Sequence, residues 1–262
     1  SWGSEMCIRD NIYILLFFPI WVTAQTYKYI GIEEGLSNRR IFSIQKDAEG
    51  YMWFLTNEGM DRYNGKDIKH YRLNKDDNSL ESPIHLGWIY TNPHIGTWVI
   101  GKQGRVFQYE RKYDDFKLVY KLPNSLETIS YGYMDRNNNI WLCRKHSILL
   151  YNTENAQILQ FTNILHSNIT AIEQVDDHHF FISTETGVRY LKLENGILKI
   201  IPAETLDYFH VQVNELYYHQ ASKRLLIGSF ERGLFVYDMN NREIIKPEVD
   251  LSDVSITCMA PL

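Results

Sequence analysis

The chain has 262 residues, of which 44% are hydrophobic, 14% aromatic and 23% charged, a composition typical of a folded globular protein. Its 27 basic and 32 acidic residues give a net charge of −5 and form no basic stripe, so nucleic acid is not an expected partner. The 18 tyrosines and many β-branched residues occur in short runs separated by Asn, Asp and Gly. This pattern predicts an all-β fold.

The first apolar segment, residues 12–22, is too short to span a bilayer and is followed by Thr23-Ala24-Gln25, a small-residue exit typical of a signal-peptidase site. We therefore predict a signal peptide within residues 1–24 and an exported, periplasmic mature chain from about Gln25. A buried strand or a membrane anchor is the alternative. Position 1 is not methionine, and residues 1–10 carry little of the positive charge expected of a leader, so we interpret them as including foreign sequence.

A unit of about 45 residues repeats along the chain, and its clearest copy lies at residues 35–65. It contains a strand at 41–46, a polar turn at 47–50, a strand carrying Trp53, a Glu-Gly turn, a strand ending at Tyr63, the hairpin signal Asn64-Gly65 and a strand at 68–73. The anchor at Trp53 recurs as Trp98, Trp141, Phe181 and Leu226. Five copies and the first strand of a sixth, near Val254, fill residues 25–262, which we interpret as a fragment.

A single four-stranded sheet of this size cannot bury both of its faces, so such repeats must pack face to face. Radial packing of twisted, four-stranded antiparallel blades gives a β-propeller, here a partial one over residues 25–262 with the repeated anchors between blades. A β-sandwich would also have many short strands, but not one period held five times. A ladder of aromatic rings for stacking sugars is the functional alternative for the anchors.

The first copy resembles the two-component-regulator propeller repeat. The resemblance is carried by Gly35-Leu36-Ser37-Asn38, Asp47-x-x-Gly50-Tyr51-Met52-Trp53-Phe54, Thr56, Gly59 and Arg62-Tyr63-Asn64-Gly65. It covers residues 27–262, more weakly after the first copy. It implies the periplasmic sensor region of a Bacteroidetes hybrid two-component histidine kinase, which recognises oligosaccharides from polysaccharide breakdown and passes the signal to a kinase outside this chain.

The same resemblance implies an organisation beyond this chain. In that family the propellers precede an immunoglobulin-like domain, a membrane span, a kinase, a receiver and a DNA-binding domain. Membrane contact is then expected only through the following span, and dimerisation through the full receptor. Family members usually carry two seven-bladed propellers, so five and a fraction blades correspond to an incomplete first propeller.

The sequence contains no nucleophile elbow, zinc-protease motif, P-loop or dinucleotide-binding motif, so we predict neither enzyme activity nor a cofactor. Adjacent acids at 76–77, 114–115 and 176–177 are typical of solvated turns. A secreted propeller hydrolase or lyase acting on polysaccharide remains the alternative, because two acids that converge across a cleft are not visible in one sequence.

Metal and disulfide sites are not expected either. Asp135, Asn137 and Asn139 copy the start of a calcium loop, but Ile140 stands where glycine is required, so we predict a plain turn. The adjacent pair His178-His179 is also interpreted as part of a turn. Of the cysteines Cys7, Cys143 and Cys258, the last two are predicted as buried free thiols, with a disulfide between them as the alternative.

Ligand-binding residues are predicted at one mouth of the propeller axis, at the position before each innermost strand. Aligned copies place polar residues there: Arg40, His85, Thr128, Asn168, Gln212 and Ser255. These side chains suit hydrogen bonding to sugar hydroxyls, and Trp88 and Tyr131 could add stacking. The alternative is that they are ordinary polar residues at strand entries. If they bind glycan, replacing Arg40 or His85 by Ala should weaken binding without unfolding the domain.

Overall fold

The computed structural model describes residues 28–71, 86–123, 128–207, 209–245, 247, 251 and 254–259. The predicted signal peptide, Cys7 and His85 lie outside these residues. The described part contains five four-stranded sheets.

The strands are numbered in chain order. Sheet 1 contains β1 (Ile41–Lys46), β2 (Met52–Thr56), β3 (Gly59–Tyr63) and β4 (Ile68–Tyr71). Sheet 2 contains β5 (Leu86–Asn92), β6 (Gly96–Gly101), β7 (Arg105–Glu110) and β8 (Asp115–Lys121). Sheet 3 contains β9 (Tyr131–Met134), β10 (Asn139–Cys143), β11 (Ser147–Asn152) and β12 (Ile158–Thr162). Sheet 4 contains β13 (Ile169–Gln174), β14 (His179–Thr184), β15 (Gly187–Glu194) and β16 (Ile197–Ile201). Sheet 5 contains β17 (Val213–His219), β18 (Arg224–Ser229), β19 (Leu234–Asp238) and β20 (Glu243–Ile245).

In every sheet each strand pairs antiparallel with the next in the chain, as the repeat predicted. The first strands of successive sheets lie beside one another, β1 by β5, β5 by β9, β9 by β13 and β13 by β17. The last strands lie outside and are largely exposed, as in β12. The five sheets therefore surround a common axis, and the predicted propeller architecture is confirmed.

The turn between the first two strands is fixed by an aspartate that also binds the tryptophan anchor. In sheet 1, Asp47 accepts hydrogen bonds from the backbone N–H groups of Glu49 (3.0 Å) and Tyr51 (2.9 Å) and from Trp53 Nε1 (2.8 Å).

Sheet 3 repeats this arrangement. Asp135 accepts from the backbone of Asn137 (2.9 Å) and Asn139 (2.8 Å) and from Trp141 Nε1 (2.9 Å). Asp135 is buried, and burial raises its pKa, although the Trp141 and Asn139 hydrogen bonds act in the opposite direction. The interpretation of this segment as a turn is therefore confirmed.

Four buried clusters lie between the five sheets, and each contains one predicted anchor. Trp53, Trp98, Trp141 and Phe181 are at most 2% exposed, and each packs on the sheet that follows its own. The ring centroids of Trp141 and Phe180 of sheet 4, for example, are 4.6 Å apart. The fifth anchor, Leu226, is only partly buried, because no further sheet follows among the described residues.

Sheets 1 and 2 are also joined by a polar group that we call the Asp114 cluster: Arg62, Lys69, Tyr71, Tyr109 and Asp114. Asp114 Oδ1 accepts hydrogen bonds from Arg62 Nη1 (2.7 Å), Tyr71 (2.7 Å) and Tyr109 (2.5 Å), and Oδ2 accepts from Lys69 Nζ (2.7 Å). Burial alone would raise the pKa of Asp114, but the hydrogen bonds from Lys69, the tyrosines and Arg62 outweigh it and hold that pKa below its usual range.

The outer faces of the first and last sheets differ from the interior ones. On sheet 1, Leu36 and Ile30 cover Phe54 and Tyr63, while Phe42 and Ile44 on β1 are each 50% exposed. Beyond sheet 5, residues 254–259 form no strand, so the first strand predicted near Val254 for a sixth copy is not present among the described residues. These residues make two backbone hydrogen bonds to sheet 5, Gly233 N–H to Val254 O (2.8 Å) and Ile256 N–H to Ser229 O (3.0 Å).

A one-turn helix, α1 (Glu204–Asp207), which the repeat pattern did not predict, lies between β16 and β17. Its Leu206 is fully buried in the cluster between sheets 4 and 5, so the helix fills that interface and does not start a separate layer. In the part of the chain that the structure describes, no helix has the length and apolar character needed to cross a membrane.

Cys143 and Cys258 are both free thiols, as predicted. Cys143 is buried in the core between sheets 3 and 4, and burial raises its pKa well above the usual value. Cys258 is exposed, so the expectation that it would be buried was wrong. The reason is that residues 254–259 run along the edge of sheet 5, with nothing packed over Cys258 among the described residues.

Candidate functional site

A polar cavity of about 450 Å³ opens where the first strands of sheets 3, 4 and 5 begin. Its lining comes from the entry to β9, the start of β13, the β14–β15 turn and β17: Thr128, Ser130, Asn168, Ile169, Thr170, Glu185 and Asn214. Six of these seven residues carry a hydroxyl, amide or carboxylate group. A cavity of this size and composition suits a small, hydroxyl-rich ligand.

The β14–β15 turn is tied to the entry of β13. The Glu185 carboxylate accepts hydrogen bonds from Asn168 Nδ2 (3.1 Å) and Ser167 Oγ (3.4 Å), and the Glu185 N–H donates to the Asn168 carbonyl (3.3 Å). We call these residues the Glu185 wall (Ser167, Asn168 and Glu185). Glu185 is the one ionisable residue of the cavity lining among the described residues.

Two other polar side chains of the lining already form hydrogen bonds within the protein. The hydroxyls of Thr170 and Ser183 lie 2.9 Å apart, and Asn214 Nδ2 donates to the Ile256 carbonyl (3.2 Å). The Asn214 amide oxygen has no hydrogen bond to another described residue. Amide and hydroxyl groups from three sheets therefore face one space with acceptors left for a ligand.

Two of the predicted mouth residues, Thr128 and Asn168, line this cavity. Gln212 is exposed two positions before Asn214 and outside the lining. Arg40 is exposed on sheet 1, where its guanidinium lies 4.9 Å from the centre of the Phe42 ring. His85 lies outside the described residues, and Ser255 is exposed outside the lining.

Trp88 and Tyr131 do not line the cavity. Their ring centroids are 5.7 Å apart in an edge-to-face arrangement, and a Cβ on Gly132 would stand 2.7 Å from the Trp88 ring. Trp88 therefore contributes to packing between sheets 2 and 3, while Tyr131 also packs against the clusters between sheets 3 and 4 and between sheets 4 and 5. Their role in stacking sugars stays a prediction.

The sequence pattern did not indicate four further residues of the lining, Ser130, Thr170, Glu185 and Asn214. A signal for Glu185 existed in the repeat itself, because antiparallel pairing places the end of a second strand beside the start of the first. Here Ile169 pairs with Thr184, so the turn after Thr184 comes to the mouth.

Two further carboxylates lie on the first strands, outside the cavity lining. Burial raises the pKa of Glu173 to about 7, and the Glu215 carboxylate adds to the rise, while the Tyr218 backbone N–H (3.1 Å) opposes it. Burial also raises the pKa of Glu215. Within the described ranges no group of three or more His, Cys, Asp or Glu side chains is arranged to hold a metal ion.

Residues 35–58 match the family model described as the two component regulator propeller. Among solved structures, the chain is similar to the extracellular domain assigned to the hybrid two-component system BT3049 from B. thetaiotaomicron, with 20% identity and a TM-score of 0.65 over 83% of this chain and 31% of that one. The corresponding domain of BT4673 from the same organism shows 17% identity and a TM-score of 0.58 over 82% of this chain and 28% of that one.

A third similar structure is virginiamycin B lyase from Staphylococcus aureus, with 17% identity and a TM-score of 0.62 over 84% of this chain and 73% of that one. No curated protein sequence matches the chain. The chain spans less than a third of the two B. thetaiotaomicron domains. The resemblance drawn from the sequence is confirmed: this is a β-propeller that carries the two-component regulator propeller repeat.

Proposed function

We propose that this propeller is part of the extracytoplasmic sensor region of a hybrid two-component receptor and that it binds an oligosaccharide in the cavity at the Glu185 wall. The signal passes to a kinase that is not part of this chain. An inner-membrane anchor and a dimeric full-length receptor belong to the same proposal.

Three observations support a sensor role. The repeat at residues 35–58 is that of two-component regulators. Two similar folds are extracellular domains assigned to two-component systems. The apolar segment at residues 12–22, followed by small residues, is typical of an exported protein.

The observation that carries the ligand class is the cavity lining. Hydroxyl and amide groups from three adjacent sheets surround about 450 Å³, with Ile169 as the one apolar residue of the lining. Sugars present many hydroxyls that both donate and accept, and such groups are bound well by fixed amides and hydroxyls. Thr170 and Asn214 lie on strands, and a hydrogen bond holds Asn168 to Glu185, so little ordering of these side chains is needed on binding.

Binding can be tested by thermal shift and calorimetry with the purified chain and neutral oligosaccharides of defined linkage. A ligand that binds only the folded state raises the unfolding temperature, and the rise grows with the logarithm of the ratio of ligand concentration to Kd once that ratio exceeds one. We expect Asn214→Ala and Asn168→Ala to weaken binding about tenfold each, because each removes hydrogen bonds to the ligand. Asn240→Ala, an exposed Asn in the β19–β20 turn, is the matched control.

Arg40→Ala distinguishes two sizes of site. If binding is confined to the cavity, Arg40→Ala binds like the unchanged chain; a loss of affinity would extend the site around the axis to sheet 1. An absence of binding to every oligosaccharide, or an unchanged affinity in both cavity variants, would contradict the proposed site.

A polysaccharide-cleaving enzyme is the second candidate. It is favoured by Glu173 and Glu215, whose raised pKa values suit proton transfer, and by the likeness to a lyase propeller. Chromatography of the same mixtures separates the two functions. Shortened products that are absent with Glu173→Gln would indicate cleavage by this chain. If the oligosaccharides remain intact, only the binding function is supported.

A further inference from the structure

A second cavity, of about 410 Å³, lies on the other side of the Glu185 wall. It is bounded by the loop before β13, the residues on either side of Glu185, and the strands β15 and β16. Its lining is Ile164, Leu165, His166, Ser167, Thr184, Thr186, Arg189 and Ile200. Because the two cavities share this wall, they adjoin but have different linings.

The chemistry of the second cavity is opposite to that of the first. Ile164, Leu165 and Ile200 give it an apolar wall, and Ile200 is 42% exposed. Arg189 supplies a permanent positive charge, and His166 adds a ring nitrogen. A cation beside an apolar wall is the combination that recognises an organic anion with a hydrocarbon body.

The Arg189 guanidinium keeps most of its donors for a ligand. Its Nη1 donates to the Val188 carbonyl (2.9 Å), and within the described ranges no carboxylate forms an ion pair with it. The neighbouring acid, Glu185, uses its carboxylate oxygens on Asn168 and Ser167. A partly buried arginine without a carboxylate partner favours an anion from outside the chain.

We propose that this second cavity binds a small amphipathic carboxylate. The carboxylate pairs with Arg189, and the hydrocarbon part lies against Ile164, Leu165 and Ile200. The volume accommodates a medium-chain fatty acid or a comparable aromatic acid. This site is independent of oligosaccharide binding in the first cavity.

The test uses octanoate as the probe, with octanol and inorganic sulfate as the neutral and the purely ionic counterparts. Calorimetry with the unchanged chain should detect octanoate binding at millimolar concentration, and octanol or sulfate should bind at least about tenfold more weakly. Arg189→Gln should weaken octanoate binding about tenfold, because it removes a charge-assisted hydrogen bond. Lys192→Gln, which neutralises a cation on the same strand that pairs with Glu194, should bind like the unchanged chain.

Ile200→Ser tests the apolar wall separately. This exposed side chain on an outer strand can be changed with little risk to folding, which thermal unfolding checks for every variant. Octanoate binding should fall in Ile200→Ser while sulfate binding is unchanged. The inference is overturned if the unchanged chain does not bind octanoate, if octanol binds equally well, or if folded Arg189→Gln keeps full affinity.

Discussion

Replacing Asp114 by Asn should destabilise the joint between sheets 1 and 2. The Asn side chain has nearly the same shape but keeps only one of the two acceptor oxygens, so the change removes the charge that Arg62 and Lys69 share together with one acceptor. Asn also tolerates the left-handed backbone of this residue, whose φ is 49°. The variant therefore tests the electrostatics of the Asp114 cluster without adding backbone strain.

The magnitude follows from the contacts. Two charge-assisted bonds would contribute about 1.5–3 kcal/mol each if they were buried. The Asp114 side chain is 42% exposed, so solvent screening reduces both, and we expect a loss of about 2 kcal/mol for the pair. For a chain of this size that corresponds to a fall of about 4–8 °C in the unfolding temperature.

Thermal unfolding at neutral pH measures this loss, with Asp115→Asn as the matched control, because Asp115 bonds only the N–H of Phe116 among the described residues. Since the folded-state pKa of Asp114 is depressed, its contribution is present above the usual carboxylate range and is lost as the pH falls through that lowered pKa. The difference between the variant and the unchanged chain should also shrink in high salt. An unfolding temperature within about 1 °C of the unchanged chain would refute the reasoning.

Three further predictions concern the interior. Asp135→Ala should lower the free energy of unfolding by about 2–3 kcal/mol in urea titrations, because it leaves the buried Trp141 N–H without its acceptor. A urea midpoint equal to that of the unchanged chain would contradict this. The folded-state pKa of Glu173 is raised from 4.5 to about 7, so the free energy of unfolding should fall as the pH rises through that interval. Glu173→Gln should flatten this dependence of stability on pH, which unfolding at several pH values measures. A thiol reagent should label the exposed Cys258 rapidly and the buried Cys143 only on unfolding, which mass spectrometry detects. Equal labelling rates for the two cysteines would count against the core position of Cys143.

Much of the fold could be predicted from the sequence because the residues that repeat along the chain are the ones that pack between the sheets. The period of Trp53, Trp98 and Trp141 located the second strands, and Asp47 and Gly50 located the turn before the first anchor. These are local signals, which depend on the alternation of apolar and polar residues along a strand and on the residue types that turns require. The burial of Cys258 was mispredicted because it depends on what covers residues 254–259, which no local pattern records.

The candidate site was predicted only in part, for a related reason. Thr128 and Asn168 could be placed at the mouth because strand entry is a position within the repeat. Glu185 could not be recognised, because its importance depends on the contact of one turn with the entry of another strand. Arg189 and Ile200 face a common cavity only after β15 and β16 have paired, so nothing in the sequence brings them together.

Because each sheet packs mainly on its neighbours in the chain, the stability of one sheet depends on whether the neighbouring sheets are folded. Each of the first four anchors is buried by the following sheet, so the folding free energy of the described residues approximates a sum of five sheet terms and four nearest-neighbour terms. Among the described residues, sheets 2 to 4 each take part in two of these couplings, whereas sheets 1 and 5 take part in only one. Local unfolding should therefore proceed inward from the two ends, and the amides of sheet 3 should exchange most slowly with deuterium.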